Sequence, residues 1–286
     1  MSNLRDKIKA RRFVITAEIV PPLSAGPTKL LHEAQHLKGK VDAINITDAA
    51  AGKTSISSFA AAALLVANGH EPVLQVTCRD RNRIALCGDL IGAAAQGVEN
   101  LLILRGDDPK GGDQPDAKPV FDLESADLLK VARDMRDKGE LPSARKIDSP
   151  PKFFIGAADV PRRPDAKWSP VPLQKKIEAG ADFIQTQFGF DLEVVRAYAE
   201  RLRAEGMTEK RGIIIGVGPI RSAKSARWMN ENLFGVSVPE PIIARLEAAS
   251  DQAAEGRRVC AELITGLKQI PGVAGAHVMA PAQGTD

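Results

Sequence analysis

Short runs of apolar residues recur along the chain, and after each run apolar side chains return every three or four positions. Residues 13–20 (FVITAEIV) form the first run, and in residues 28–37 Leu30, Leu31, Ala34 and Leu37 share one helical face. Residues 41–47 predict a second strand, followed by a helix over 55–68 with Ile56, Ala60, Ala63 and Ala67 in phase and Gly69 to end it. The third strand is expected at 72–78; Ile84, Cys87, Ile91 and Ala94 mark its helix and Gly97 its stop. Residues 100–104 make the fourth, then a long polar loop leads to a helix near 123–138. The fifth strand, 152–157, precedes a helix near 173–179 that ends at Gly180. The sixth, 182–187, precedes a helix opened by Asp191 and phased by Val195, Tyr198 and Leu202. After the seventh, 212–217, come helices near 222–231, 239–249 and 252–269, and then the eighth strand at 272–279.

The strand runs are nearly continuous rather than alternating, as expected of parallel strands covered on both faces. Most repeats are about 30 residues apart, the size of one βα unit with its turns. Eight such units without a break in composition predict a single catalytic domain over residues 1–286. The expected fold is α/β, a (β/α)8 TIM barrel with an extra helix between strands 7 and 8. A doubly wound open sheet is the alternative, weakened because no GxGxxG follows the first strand. The 286 residues are 44% hydrophobic, enough for a large core. Thirty-nine basic and 36 acidic side chains leave +3 with no long run of one sign, which argues against nucleic-acid or membrane partners. Three scattered cysteines, Cys78, Cys87 and Cys260, lack metal-ligand spacing, so no metal is expected and a reducing cytoplasm is. The charged start of the chain does not read as a signal peptide, and no stretch approaches a membrane span.

In such barrels the active site lies at the C-terminal ends of the strands, and that rule selects the candidates. Glu18 ends strand one before Pro21 and Pro22; Thr47 and Asp48 end strand two; Gln75 and Thr77 lie near the end of strand three. Arg105, Gly106, Asp107 and Asp108 follow strand four, Asp159 follows strand five and Gln187 closes strand six. Arg221 and Lys224 follow strand seven, and His277 lies in strand eight. A carboxylate inside an apolar strand is costly unless paired or used, so Glu18 stands out as functional. His277 reads more as a packed core histidine than as a ligand. Gly52-Lys53-Thr54 resembles the end of a phosphate-binding loop, but Thr47 stands where that motif needs glycine, so the match is taken as chance.

Several of these segments resemble the methylenetetrahydrofolate reductase family. Thr16-Ala-Glu-Ile-Val-Pro-Pro22 is similar to its first-strand signature, and Leu104-Arg-Gly-Asp107 to its strand-four motif. Residues 178–191, with Thr186-Gln-Phe-Gly-Phe-Asp191, resemble its strand-six region; residues 216–222 and 272–277 resemble its last two strands. The resemblance implies a barrel that binds FAD, with NADH or NADPH and the folate taking turns at the flavin. It implies Glu18, Asp107 and Gln187 as catalytic residues, Glu18 being the general acid, and Glu18, Asp107, Gln187 and Arg221 as contacts of a tetrahydrofolate. Thr47, Gln75, Arg105, Gly106, Asp107, Ala157 and Lys176 would line the cofactor. A role in methionine biosynthesis follows from the same likeness.

The chain departs from that pattern around the flavin. Residues 156–161 lack the family's Tyr and His after strand five, Gln75 replaces a histidine, and Pro172 and Ala223 stand where an Asn and an aromatic residue are expected. With one Tyr and two Trp, few side chains remain to stack on an isoalloxazine. Two alternatives therefore stay open for this family reading: a flavin-independent reductase of the same substrate, or an enzyme oxidising 5-methyltetrahydrofolate for a demethylation pathway. A barrel lyase or aldolase, or a non-redox folate-binding protein, are the readings from other classes. Exposed helix faces such as that over 239–249 leave a homo-oligomer open.

Overall fold

The computed structural model describes residues 2–280 apart from 167 and 210. Eight strands, β1 (Val14–Ile19), β2 (Ala43–Ile46), β3 (Pro72–Thr77), β4 (Asn100–Leu104), β5 (Phe154–Asp159), β6 (Phe183–Phe188), β7 (Gly212–Val217) and β8 (Val273–Val278), pair in chain order. All pairs are parallel, and β8 returns to β1 with Thr16 opposite His277, closing the barrel. Helices α2 (Thr28–Leu37), α3 (Ser58–Ala67), α4 (Arg83–Ala95), α5 (Ser125–Asp137), α6 (Val171–Ala179) and α7 (Leu192–Ala204) form the outer ring between successive strands. Between β7 and β8 lie α8 (Ala223–Asn232), α9 (Glu240–Ala248) and α10 (Gln252–Leu267), two helices more than a βα unit needs. Short polar residues start several of them. Ser57, Asn82, Asp191, Ser222 and Asp251 each accept a first-turn amide with the side chain, satisfying donors the helix cannot satisfy itself.

The pattern misses one helix. A further helix, α1 (Asn3–Lys9), precedes β1; only Leu4 and Ile8 of its residues are buried, too few to make a periodic signal. Those two close the N-terminal end of the barrel, packing with Val14, Ala43, Val73, Leu102, Phe154, Phe183 and Ile214. Glu71 fastens the helix by accepting from the Asn3 and Leu4 amides, each at 2.9 Å. In α4 the buried stripe is Leu86, Cys87, Leu90 and Ala93, while Ile84 is 83% exposed. The helix is apolar on two faces, and contact with the sheet selects between them.

Strand alternation sorts side chains between lumen and helix shell. Above the apolar floor, the lumen holds a polar layer of Thr16, Asn45, Gln75, Gln185 and His277, each no more than 6% exposed. Gly156 leaves room there: a Cβ on it would meet the Phe183 ring at 2.3 Å.

Candidate functional site

Glu18 stands at the top of the polar layer, one strand step above Thr16. Its Oε2 accepts a 3.1 Å hydrogen bond from Gln75 Nε2 and lies 3.6 Å from His277 Nε2. The Glu18 side chain is 21% exposed, whereas His277 is wholly buried and its Nδ1 meets Thr16 Oγ1 at 2.9 Å. Asn45 Nδ2 donates to Gln185 Oε1 at 3.0 Å across the same lumen. A carboxyl at the boundary between a polar, water-poor layer and the open mouth can exchange a proton with a ligand above it. The packing expected of His277 is observed, and so is a neighbour that sequence reading did not connect with it.

Asp48 has a different role. Its carboxylate accepts from Ser58 Oγ (2.9 Å), Thr77 N (2.8 Å), Thr77 Oγ1 (3.0 Å) and the Arg81 guanidinium. That saturates it, so it ties the β2 end to the β3 end rather than facing a ligand. Arg79, only 2% exposed, reaches under both neighbouring loops: its guanidinium donates to Ala49 O (3.1 Å), Asp107 O (3.3 Å) and the Asp80 carboxylate. Nothing in the sequence singles out Arg79, because an arginine in a polar loop gives no sign that it will be buried. Asp107 itself is exposed on the rim and accepts the Ala51 amide at 2.9 Å. The loops after β2 and β4 touch backbone to backbone, since a Cβ on Gly112 would lie 1.9 Å from Gly52 O. Thr54, in the segment that resembles a phosphate loop, spends its amide and hydroxyl on Asp113, consistent with a chance match.

Gln187 lies where the β6–β7 register shifts, and a bulge of this kind re-aims a side chain at a barrel rim. Its Oε1 accepts from the Phe188 amide at 3.0 Å, which leaves its NH2 to donate to a ligand. The residues that follow β6 and β7 line a cavity of about 410 Å³, among them Phe188, Phe190, Trp228 and Met229, with Arg221 and Lys224 supplying positive charge. Arg105 is 57% exposed and stacks on Phe121 at 4.1 Å. Gly106 has φ +95°, and a Cβ there would meet Arg79 at 2.9 Å, so this turn needs glycine.

The β5 end differs from expectation. Ala157 is fully buried in the helix-side cluster, so its side chain faces away from the lumen, as alternation along β5 requires. Asp159 accepts the Tyr198 hydroxyl from α7, and burial together with that carboxylate drives the Tyr198 hydroxyl well above its ordinary range. Lys176 Nζ donates to Ala158 O at 2.6 Å; burial lowers its pKa, and Asp159 partly restores it. Among the described residues, no group of three His, Cys, Asp or Glu side chains could hold a metal ion. No helix among them is long and apolar enough to cross a membrane.

A closed parallel barrel with its acid, amides and cations around the C-terminal mouth is an enzyme scaffold of the (β/α)8 class. The methylenetetrahydrofolate reductase family model matches residues 3–280, and the chain belongs to that family. Methylenetetrahydrofolate reductase 2 of Schizosaccharomyces pombe is 30% identical over 269 residues, covering 86% of this chain and 39% of that protein. The 5,10-methylenetetrahydrofolate reductase of Salmonella typhimurium is 25% identical over 206 residues, covering 71% of this chain and 62% of that one. The chain thus spans less than two thirds of the length of these curated relatives. Among solved structures, a Clostridium thermocellum protein described as binding two copies of 5-methyl-5,6,7,8-tetrahydrofolic acid has the same fold. It superimposes with a TM-score of 0.65 at 16% identity, covering 97% of this chain and 92% of that one.

Proposed function

We propose that the chain catalyses hydride transfer between a reduced nicotinamide, NADH or NADPH, and 5,10-methylenetetrahydrofolate, giving 5-methyltetrahydrofolate. The observation that carries this reading is Glu18, a carboxyl at the polar floor of the mouth, steadied by Gln75 and open to a ligand on one side. Glu18 donates a proton to the folate amine, the five-membered ring opens to an iminium, and hydride adds to the iminium carbon to leave a methyl group. Asp107 and Gln187 complete the proposed catalytic set. Asp107 sets the charge at the rim, and the free NH2 of Gln187 donates to the pterin or the nicotinamide. Arg221 and Lys224, beside the aromatic cavity, suit a substrate arm that is an aromatic amide ending in carboxylates. The same step run backwards oxidises 5-methyltetrahydrofolate, so the cell's substrate supply selects the direction.

FAD is the carrier implied by the family, and when bound it supplies a two-electron acceptor between nicotinamide and folate. The chain fits it in part. Among the described residues Thr47 Oγ1 is buried without a partner, the kind of atom a ligand satisfies, and Arg105, 57% exposed, and Gly106 directly precede Asp107 after β4. Lys176 donates its ammonium to Ala158, Gln75 donates to Glu18, and Ala157 faces the helix shell. Those last three observations favour a second reading, direct hydride transfer from nicotinamide to the iminium. Both readings take the chain to work in the cytoplasm, supported by three free buried cysteines. A homo-oligomer is part of the proposal, supported by the exposed Trp228 and Phe234 and checked by light scattering.

The test is an absorption spectrum of the purified protein with and without FAD, followed by NADH oxidation on methylenetetrahydrofolate. Flavin absorbance bleached by NADH and restored by folate supports the carrier. A colourless protein that consumes NADH only when folate is present supports direct transfer. No folate-dependent NADH consumption in either form would sink the reductase reading.

A further inference from the structure

Arg79 lies just past the end of β3 and is one of the bulkiest fully buried side chains of the protein. Its guanidinium donates twice to the Asp80 carboxylate, from Nε at 2.7 Å and from Nη2 at 2.8 Å. The remaining donors cross to two other loops. Nη2 also donates to Ala49 O after β2 at 3.1 Å, and Nη1 donates to Asp107 O after β4 at 3.3 Å. The backbone takes part as well, since Arg79 O accepts the Val120 amide at 2.7 Å. The segments gathered in this way run against their ordinary backbone preference. Of the five non-glycine residues with positive φ among the described residues, Ala49, Ala51 and Phe121 lie in them. Left-handed residues that carry a side chain persist only where their surroundings fix them. Ala51 is the residue whose amide donates to the Asp107 carboxylate at 2.9 Å. Arg79 thus grips a carbonyl on each side of that bond, at Ala49 and at Asp107 itself.

We propose that Arg79 is a positioning residue for Asp107, fixing the loop after β2 so that the Ala51 amide orients the Asp107 carboxylate at the mouth. The inference rests on reading Asp107 as part of the catalytic set. A guanidinium suits this task and an ammonium does not. Its planar fork serves two carbonyls and a carboxylate at once, whereas lysine offers one compact charge on a flexible stem. Asp80, 45% exposed, balances the buried charge and keeps the plane of the fork in place. The grip is close: a Cβ on Gly106 would lie 2.9 Å from Arg79 Cβ, so the turn before Asp107 closes directly over the arginine. Without the fork, the segment of Ala49 and Ala51 loses the bond that holds it left-handed, and the Asp107 carboxylate loses its fixed donor.

The experiment is a double-mutant cycle on the full chain, with wild type, Arg79→Lys, Asp107→Asn and the pair. It is read as kcat/KM for methylenetetrahydrofolate in NADH oxidation. Arg79→Lys is expected to lower kcat/KM by about tenfold alone and by less than about twofold beside Asp107→Asn, because it acts through that carboxylate. Asp80→Asn, at a half-exposed position, is the gentler variant if Arg79→Lys does not fold. Its loss of about threefold should likewise vanish beside Asp107→Asn. Equal losses in both backgrounds would make Arg79 purely structural and overturn the proposal, as would a wild-type kcat/KM in Arg79→Lys. The second readout is the Ala51 amide in nitrogen-15 NMR, whose signal should shift and whose hydrogen exchange should quicken in either variant. An unmoved Ala51 amide in a folded variant sinks the proposal whatever the activity. A wild type without folate turnover removes the reductase reading, and a displaced Ala51 amide in Arg79→Lys then still leaves the brace on Asp107 standing.

Discussion

Glu18 and Asp48 end adjacent strands, yet they are held in opposite ways. Asp48 accepts from two hydroxyls, an amide and a guanidinium, while Glu18 accepts from one amide group and stands beside an imidazole. Removing a saturated buried carboxylate strands its donors, including Arg81. Asp48→Ala should therefore destabilise the fold by about 3 kcal/mol, visible as a lowered Tm. Glu18→Gln keeps the shape and exchanges one partner, so Tm should stay within a few degrees of wild type. Folate turnover in that variant should fall by about a hundredfold or more, measured as NADH oxidation. Near-normal turnover would remove the role given to Glu18.

At the scale of single elements, α5 carries the clearest electrostatic prediction. Burial alone would raise the Asp134 carboxyl, but Lys130, Arg133 and Lys138 hydrogen-bond to it and bring it down to about 2 from an ordinary 3.8. A carboxyl that gives up its proton more readily when folded adds stability above its unfolded value and loses it as pH falls through the folded one. The contribution, on the order of 1 kcal/mol once solvent screening of these surface pairs is allowed for, should be intact above about pH 4 and gone below about pH 2. Urea melts at pH 5 and pH 2.5 should show Asp134→Asn losing most of its deficit at the lower pH. A deficit independent of pH would mean that packing, not charge, holds that turn. On the strands the same scale explains the cofactor residues. Gln75 and Ala157 lie where expected along the chain, yet one bonds Glu18 and the other packs against helices. Which face a strand residue takes follows from the closed register, and a run of apolar neighbours such as residues 152–157 does not reveal it.

For the whole molecule, the barrel is sealed at one end by α1 and open at the other, where the polar layer meets the loops after β2, β4, β6 and β7. Leu4 is wholly buried in the floor cluster. Leu4→Ala should cost about 3 kcal/mol through the cavity it leaves, while turnover at a temperature where the variant is folded should stay near wild type. Loss of activity without loss of Tm would show that the floor transmits to the mouth.

The sequence by itself determined the eightfold alternation and placed most element ends to within about three residues. Strands buried on both faces need unbroken apolar runs, helices need a period of 3.6, and both signals are local. β4 and β7 begin and end where the pattern predicts, and α2 does too. The family motifs were also legible, because each is a short contiguous stretch. The tertiary structure alone decided which polar groups meet. Thr16 and His277 are 261 positions apart and Asn45 and Gln185 140, and they touch because the sheet closes on itself in one register. Closure depends on the tilt and stagger of all eight strands together. No local stretch of residues encodes it, and so the partner of Glu18 became visible only in the folded barrel.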